Sequence, residues 1–130
     1  VERVYVGLES CTANAGNPAK PSGRVWHKTR VALSEDGRSI LVLSDFVLRD
    51  VTSPNDLAKP ATEGELVINA VFKQVFRLVD DLTPTSDEMV EFAKSHARVE
   101  VWPLWKDLCG SLLVKMNAPR VDFPNPVLDH

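Results

Sequence analysis

Three His and two Cys residues are the first places to look for chemistry in this chain of 130 residues. His27 falls in a stretch that reads as a strand, His96 near the end of a helical pattern and His130 at the terminus. No two have the four-residue helical spacing that lets imidazoles share a zinc ion. Cys11 and Cys109 stand far apart and lack the close pairing of metal or thioredoxin-type sites. They are expected as buried or half-buried thiols of a protein kept in a reducing cytoplasm. A nucleophilic arrangement could be assembled on paper from Cys109 or a Ser, His96 and an Asp. Cys109, however, lies in the apolar stripe of a helix, where nothing lowers the pKa of a thiol. Asp80-Asp81 and Asp87-Glu88 are acid pairs, but both flank a helix start, where negative charge offsets the positive end of the dipole. Gly7, Gly16, Gly23, Gly37, Gly64 and Gly110 never approach the spacing of a phosphate-cradling loop. The chain is therefore read as a non-enzyme, with no catalytic residue, metal or cofactor expected.

The elements that would position these residues follow from periodicity. Val4, Val6 and Leu8 alternate with Tyr5, Gly7 and Glu9, the period of a strand with one buried face, predicted over about 2–11. The segment from Asn14 to Gly23 holds two Pro and two Gly and is long for a hairpin loop, so strand one is expected to cross over instead of pairing with strand two. Strand two is predicted over 25–34. Asp36-Gly37 supplies a tight turn into strand three, 39–51, whose apolar run Ile40 to Leu43 predicts a central strand or one against another subunit. A linker with Pro54 and Pro60 leads to strand four, 65–78, with Leu66, Ile68, Ala70 and Phe72 on one face and Val67, Val71 and Val75 on the other.

Thr85 with Glu88 is a capping box, so a first helix is predicted to about Ala97. Pro103 is expected in the first turn of a second helix, 103–116. Its stripe contains Trp105, Leu108, Cys109, Leu112 and Met116, with Leu104, Leu113 and Val114 away from it. A helix apolar over so wide an arc needs partners on more than one side, which predicts oligomerisation. The interface candidates are Trp105, Leu108, Leu112, Leu113 and Met116.

The whole chain, 1–130, is 44% hydrophobic and fits a single domain. No apolar run reaches the length of a membrane span, and no signal peptide is visible in this segment. A formal charge of -3 with 15 scattered Lys and Arg residues argues against nucleic acid as a partner.

Trp102-Pro103-Leu104-Trp105, then Lys106-Asp107, an apolar helix and Met116 to Pro119, resembles the C-terminal signature of SecB and the SecB-like chaperones. Val1-Glu2-Arg3-Val4-Tyr5-Val6 is similar to the opening of that family's first strand. The resemblance implies an α+β fold, a four-stranded antiparallel sheet followed by C-terminal helices. It also implies a cytoplasmic homo-oligomer, a dimer of dimers, that binds unfolded or extended polypeptide in apolar grooves without ATP. Docking to the SecA motor is not expected, because Leu8, Thr12 and Ala70 stand where the family's docking acids fall and Glu9 is displaced to the other face. The closing Pro124 to His130 is too short and Pro-rich for the family's further helix. Relatives that hold the unfolded tail of an antitoxin are the alternative. The groove candidates are Tyr5, Trp26, Val31, Phe46, Phe72 and Phe123, with core packing the competing reading for most of them. A small-ligand domain or a purely structural oligomer are readings of other classes.

Overall fold

Period-two alternation builds the sheet. The computed structural model describes residues 1–14, 24–51, 53–61, 64–79, 83–116 and 128–129. Its strands are β1 (Glu2–Asn14), β2 (Arg24–Leu33), β3 (Ser39–Arg49), β4 (Val67–Arg77) and β5 (Leu128–Asp129). They lie in the order β1-β4-β3-β2-β5. As the long 14–23 link predicts, β1 does not pair with β2: it runs antiparallel to β4, with Leu8 opposite Phe72. β3 is central, between β2 and β4, and β5 adds a short parallel pairing at Trp26 and His27 of β2. The four-stranded antiparallel sheet of the sequence reading is thus present, widened by β5. Most of the crossover loop and the Phe123 segment lie outside the described residues.

β3 and β4 are buried at every second residue, so burial follows the face on which a side chain falls. Ile40, Val42, Phe46 and Leu48 of β3 meet Ile68, Ala70, Phe72 and Phe76 of β4 on one face. The other face, with Leu41, Leu43, Val71 and Val75, is only half-buried. In β1 the alternation is reset, because the register shifts between Arg3 and Tyr5 and again between Leu8 and Ser10. The second shift sets Cys11 on the same face as Val6 and Leu8, since it now pairs with Ala70. Cys11 is exposed there, not buried or half-buried, because β1 is an edge strand.

The helical region differs from the prediction of two helices with a Pro joint. α1 (Ser86–Phe92), a π-helical turn (Ala93–Ala97) and α2 (Arg98–Lys115) run on from one another without a break. Thr85 opens α1 with the expected capping box, its hydroxyl accepting from the Glu88 N–H while the Glu88 carboxylate accepts from the Thr85 N–H. Pro103 sits inside α2, not in its first turn. Its ring removes the bond to the Val99 carbonyl, but Val99 and Pro103 both lie on the exposed side, where water can take that bond. The buried stripe is Ala93, Ala97, Val101, Trp105, Cys109 and Leu113. A four-residue spacing drifts about 40° per step around an α-helix, and the wider π-turn takes back part of that drift, holding the stripe on the sheet.

Two polar devices fix the connections. Arg49, 6% exposed, forks onto the Glu65 carboxylate at 2.6 and 3.2 Å. It also donates to the carbonyls of Asp56, Leu57, Lys59 and Pro60, clamping the 3-10 turn Pro54–Ala58 between β3 and β4. At the β2–β3 turn, Asp36 accepts from the Ser34 hydroxyl at 2.6 Å and the Arg38 N–H at 3.0 Å. These bonds hold its carboxyl below the usual range, the Ser34 bond first.

Gly37 closes this turn at φ 72°, a conformation that costs an L side chain about 1–2 kcal/mol. Gly37→Val is expected to lower stability by that amount, read as a shift in the denaturant midpoint at unchanged slope. An unchanged midpoint would show that the turn tolerates a β-carbon.

Candidate functional site

Two apolar clusters lie between the sheet and the helical rod. One gathers Phe46, Phe72, Ile68 and Leu48 of the sheet with Val101, Trp105, Cys109 and Leu113 of α2. The other holds Ile40, Val42 and Phe76 against Ala93 and Ala97. Phe46 is the hub of the first. Its ring stacks on Trp105 at 5.3 Å and 15°, meets Phe72 edge-on at 6.1 Å, and lies 4.6 Å from the His27 ring. Of the groove candidates, Phe46 and Phe72 are therefore core side chains, covered by the chain's own helix. Trp26 is buried as well, and Val31 packs against the second cluster. Tyr5 is exposed, but it pairs with Val75 on the face away from the helix. Its ring lies across Gly7, where a β-carbon would clash with the phenol oxygen. The structure does not bring these five together, and Phe123 lies outside the described residues.

The interface candidates divide in the same way. Trp105 is fully buried against Phe46, and Leu113, read from the sequence as lying away from the stripe, is 4% exposed in the same cluster. Leu108, Leu112 and Met116 are half-buried at its margin.

What the structure does set on one side of the sheet is a pair of open apolar rows, one on β1 and one on α2, and the space between them is the candidate trough. Arg3 of β1 forms an ion pair with Glu100 of α2, tying the edge strand to the helix. Leu104 and Leu108 follow Glu100 at four-residue intervals and so share its side of α2. Val6 and Leu8 face the helix side of β1, paired with Gln74 and Phe72. Leu8 is 48% and Leu104 42% exposed, so the trough is open. Sequence reading missed it, because it depends on β1 lying at the sheet edge and on Leu104 falling off the buried stripe. The signal was present in the wide apolar arc of α2.

A polar band separates the two clusters. Gln74, fully buried, donates to the Ala97 carbonyl at 3.3 Å and to Glu100 at 3.4 Å, anchoring the π-turn to β4. The Ser44 and Thr29 hydroxyls, opposite each other in β3 and β2, are buried with no hydrogen-bond partner among the described residues. His96 stacks on Phe92 at 5.0 Å, with Glu100 3.9 Å from its Nε2. Among the described residues, no three His, Cys, Asp or Glu side chains are grouped to hold a metal ion. Burial pushes the Cys109 thiol far up, with Cys11 adding to the shift, so the sulfur stays protonated and a poor nucleophile at neutral pH. A thiol reagent is therefore expected to label Cys11 alone in the native chain and both cysteines after unfolding. Rapid labelling of Cys109 in the folded protein would contradict the packing of α2 on the sheet.

No family model and no curated protein matches the sequence. Among solved structures, the chain is similar to a SecB-like chaperone of Mycobacterium tuberculosis, determined in complex with a ChAD peptide from an antitoxin. The two share 16% identity, with a TM-score of 0.74 over 95% of this chain and 88% of that one. No helix among the described residues is long and apolar enough to cross a membrane. With its antiparallel sheet ordered β1-β4-β3-β2, its crossover after β1 and its C-terminal helical rod, the chain has the SecB-like fold.

Proposed function

We propose that this chain is an ATP-independent chaperone, a holdase, which binds unfolded or extended polypeptide in the apolar trough between β1 and α2. The observation that supports it most is the likeness over nearly the whole chain to a chaperone captured with a bound peptide. The trough gives that reading a location, with Val6 and Leu8 on one wall and Leu104 and Leu108 on the other. Its open apolar side chains can receive alternate residues of an extended chain, while the Arg3–Glu100 pair closes one end. Phe72, opposite Leu8 in the register, packs in the core beside this trough, whereas Tyr5 faces the other side of the sheet and Trp26 lies on β2, two strands away from β1's partner β4.

An antitoxin's unfolded tail is the client class that the peptide in the neighbouring structure favours. The working form is a homo-oligomer, a dimer of dimers in the cytoplasm. Its support is the free outer edge of β1 among the described residues and the exposure of Val99 and Val114, 68% and 78%, on a helix that already buries its other side. Leu112 and Met116, half-buried at the margin of the first cluster, are the remaining interface candidates, while Leu108 lines the trough.

The test is suppression of aggregation of an unfolded client without nucleotide, with wild type and with Leu8→Ser and Leu104→Ser. Both side chains are partly exposed, so the substitutions leave the fold intact. Each removes apolar contact worth about 1–3 kcal/mol of client affinity. The wild type is expected to delay aggregation and each variant to require a higher concentration for the same delay. A wild type that fails to delay aggregation would remove the chaperone reading. Variants as effective as wild type would remove the trough.

A further inference from the structure

The sheet has a second face, which the helix leaves uncovered. At its centre Leu41 of β3 lies opposite Val75 of β4, with Leu43 next along β3 and Val71 further along β4, all half-buried, forming an apolar patch. A cation stands on each side of β3 here, Lys73 falling between Val71 and Val75 of β4. Lys73 of β4 lies opposite Leu43, and Leu43 lies opposite Arg30 of β2. Lys28, two residues before Arg30, points to the same face. Among the described residues, Lys28, Arg30 and Lys73 take part in no ion pair. The acid on this stretch, Asp45, lies opposite Lys28 and accepts from Asn69 Nδ2 at 2.6 Å. The centre of the face is thus basic and apolar in a chain whose formal charge is -3.

We infer that this face docks an amphipathic helix of a partner protein, one whose apolar stripe is flanked by Asp and Glu. Neighbouring strands lie about 4.8 Å apart, which sets Lys73 and Arg30 about 10 Å from each other across β3. A helix with its side chains is about 10–12 Å wide, so a helix lying along β3 on Leu41 and Leu43, with Val71 and Val75 at its margin, presents one row of acids to each cation. A second copy of the chain is disfavoured as the occupant, because the same face would set Lys73 and Arg30 against like charges. The patch lies on the opposite side of the sheet from the trough, so either site can fail without the other.

Fluorescence anisotropy with a short labelled helical peptide, a Leu stripe flanked by Glu, tests the inference. The same peptide with Lys in place of Glu is the control. The Glu peptide is expected to bind, more weakly as salt rises, and the Lys peptide at least about tenfold more weakly. Arg30→Glu, at an exposed position, and the double variant with Lys73→Glu should each weaken the Glu peptide, the double by about tenfold or more. Leu104→Ser, in the trough, should leave it unchanged. Equal binding of the two peptides, or binding indifferent to both charge reversals in protein of unchanged circular dichroism, would overturn the inference. Displacement of the peptide by single-stranded RNA through the same Arg30 and Lys73 would overturn it in favour of nucleic acid.

Discussion

Phe46 lies nearly flat against Trp105, and this contact between the central strand and the helical rod is what the rest of the fold is arranged around. A sheet of this width has one apolar face that must leave water, and a single helix has to cover it. The stack, with Phe72 and the His27 ring against the same Phe46 side chain, fixes where the helix crosses. Truncating a buried aromatic of this size costs about 3–5 kcal/mol, a large share of the stability of a small domain. Once Trp105 is placed, the four-residue stripe from Ala93 to Leu113 can stay on the sheet only if the helix winds to follow it. The π-turn accomplishes this, and Gln74 holds it in place from β4.

Local signals written in a few residues were the legible ones. The Thr85–Glu88 box, the Asp36-Gly37 turn, the two faces of β4, the central place of β3 and the absence of β1–β2 pairing each follow from signals between neighbours in sequence, and each is found as read. The features that escaped depend on contacts distant in sequence. The register shifts in β1 reverse the face of Cys11, and no composition rule marks Val4 or Glu9 as the extra residues. Pro103 looked like a helix start because its missing N–H is harmless there, yet an exposed interior position is harmless for a related reason. Leu113 was assigned outward because its stripe winds around the rod. For the site, the sequence offered large aromatics, and size selects for the core: Phe46, Phe72 and Trp26 are buried. The open apolar positions, Leu8 and Leu104, are smaller and owe their exposure to an edge strand and to the margin of a helix.

That division between buried aromatics and open aliphatic side chains is what the proposed chaperone function rests on. A groove for unfolded polypeptide needs apolar surface that the fold cannot bury itself, held open by elements that are themselves well packed. The Phe46–Trp105 stack supplies the rigidity, and the Arg3–Glu100 pair keeps β1 within reach of α2. Binding of this kind depends on area and shape more than on particular side chains. The proposed function therefore asks for architecture first, and the fold is what this chain shares with the mycobacterial chaperone at 16% identity.

Sedimentation velocity of the chain alone and with a permanently unfolded polypeptide, in the absence of nucleotide, tests the central claim most directly. The account predicts an oligomer that co-sediments with the polypeptide in one faster boundary. A chain that sediments at the same rate with and without the polypeptide, leaving the latter in a separate slow boundary, would contradict it.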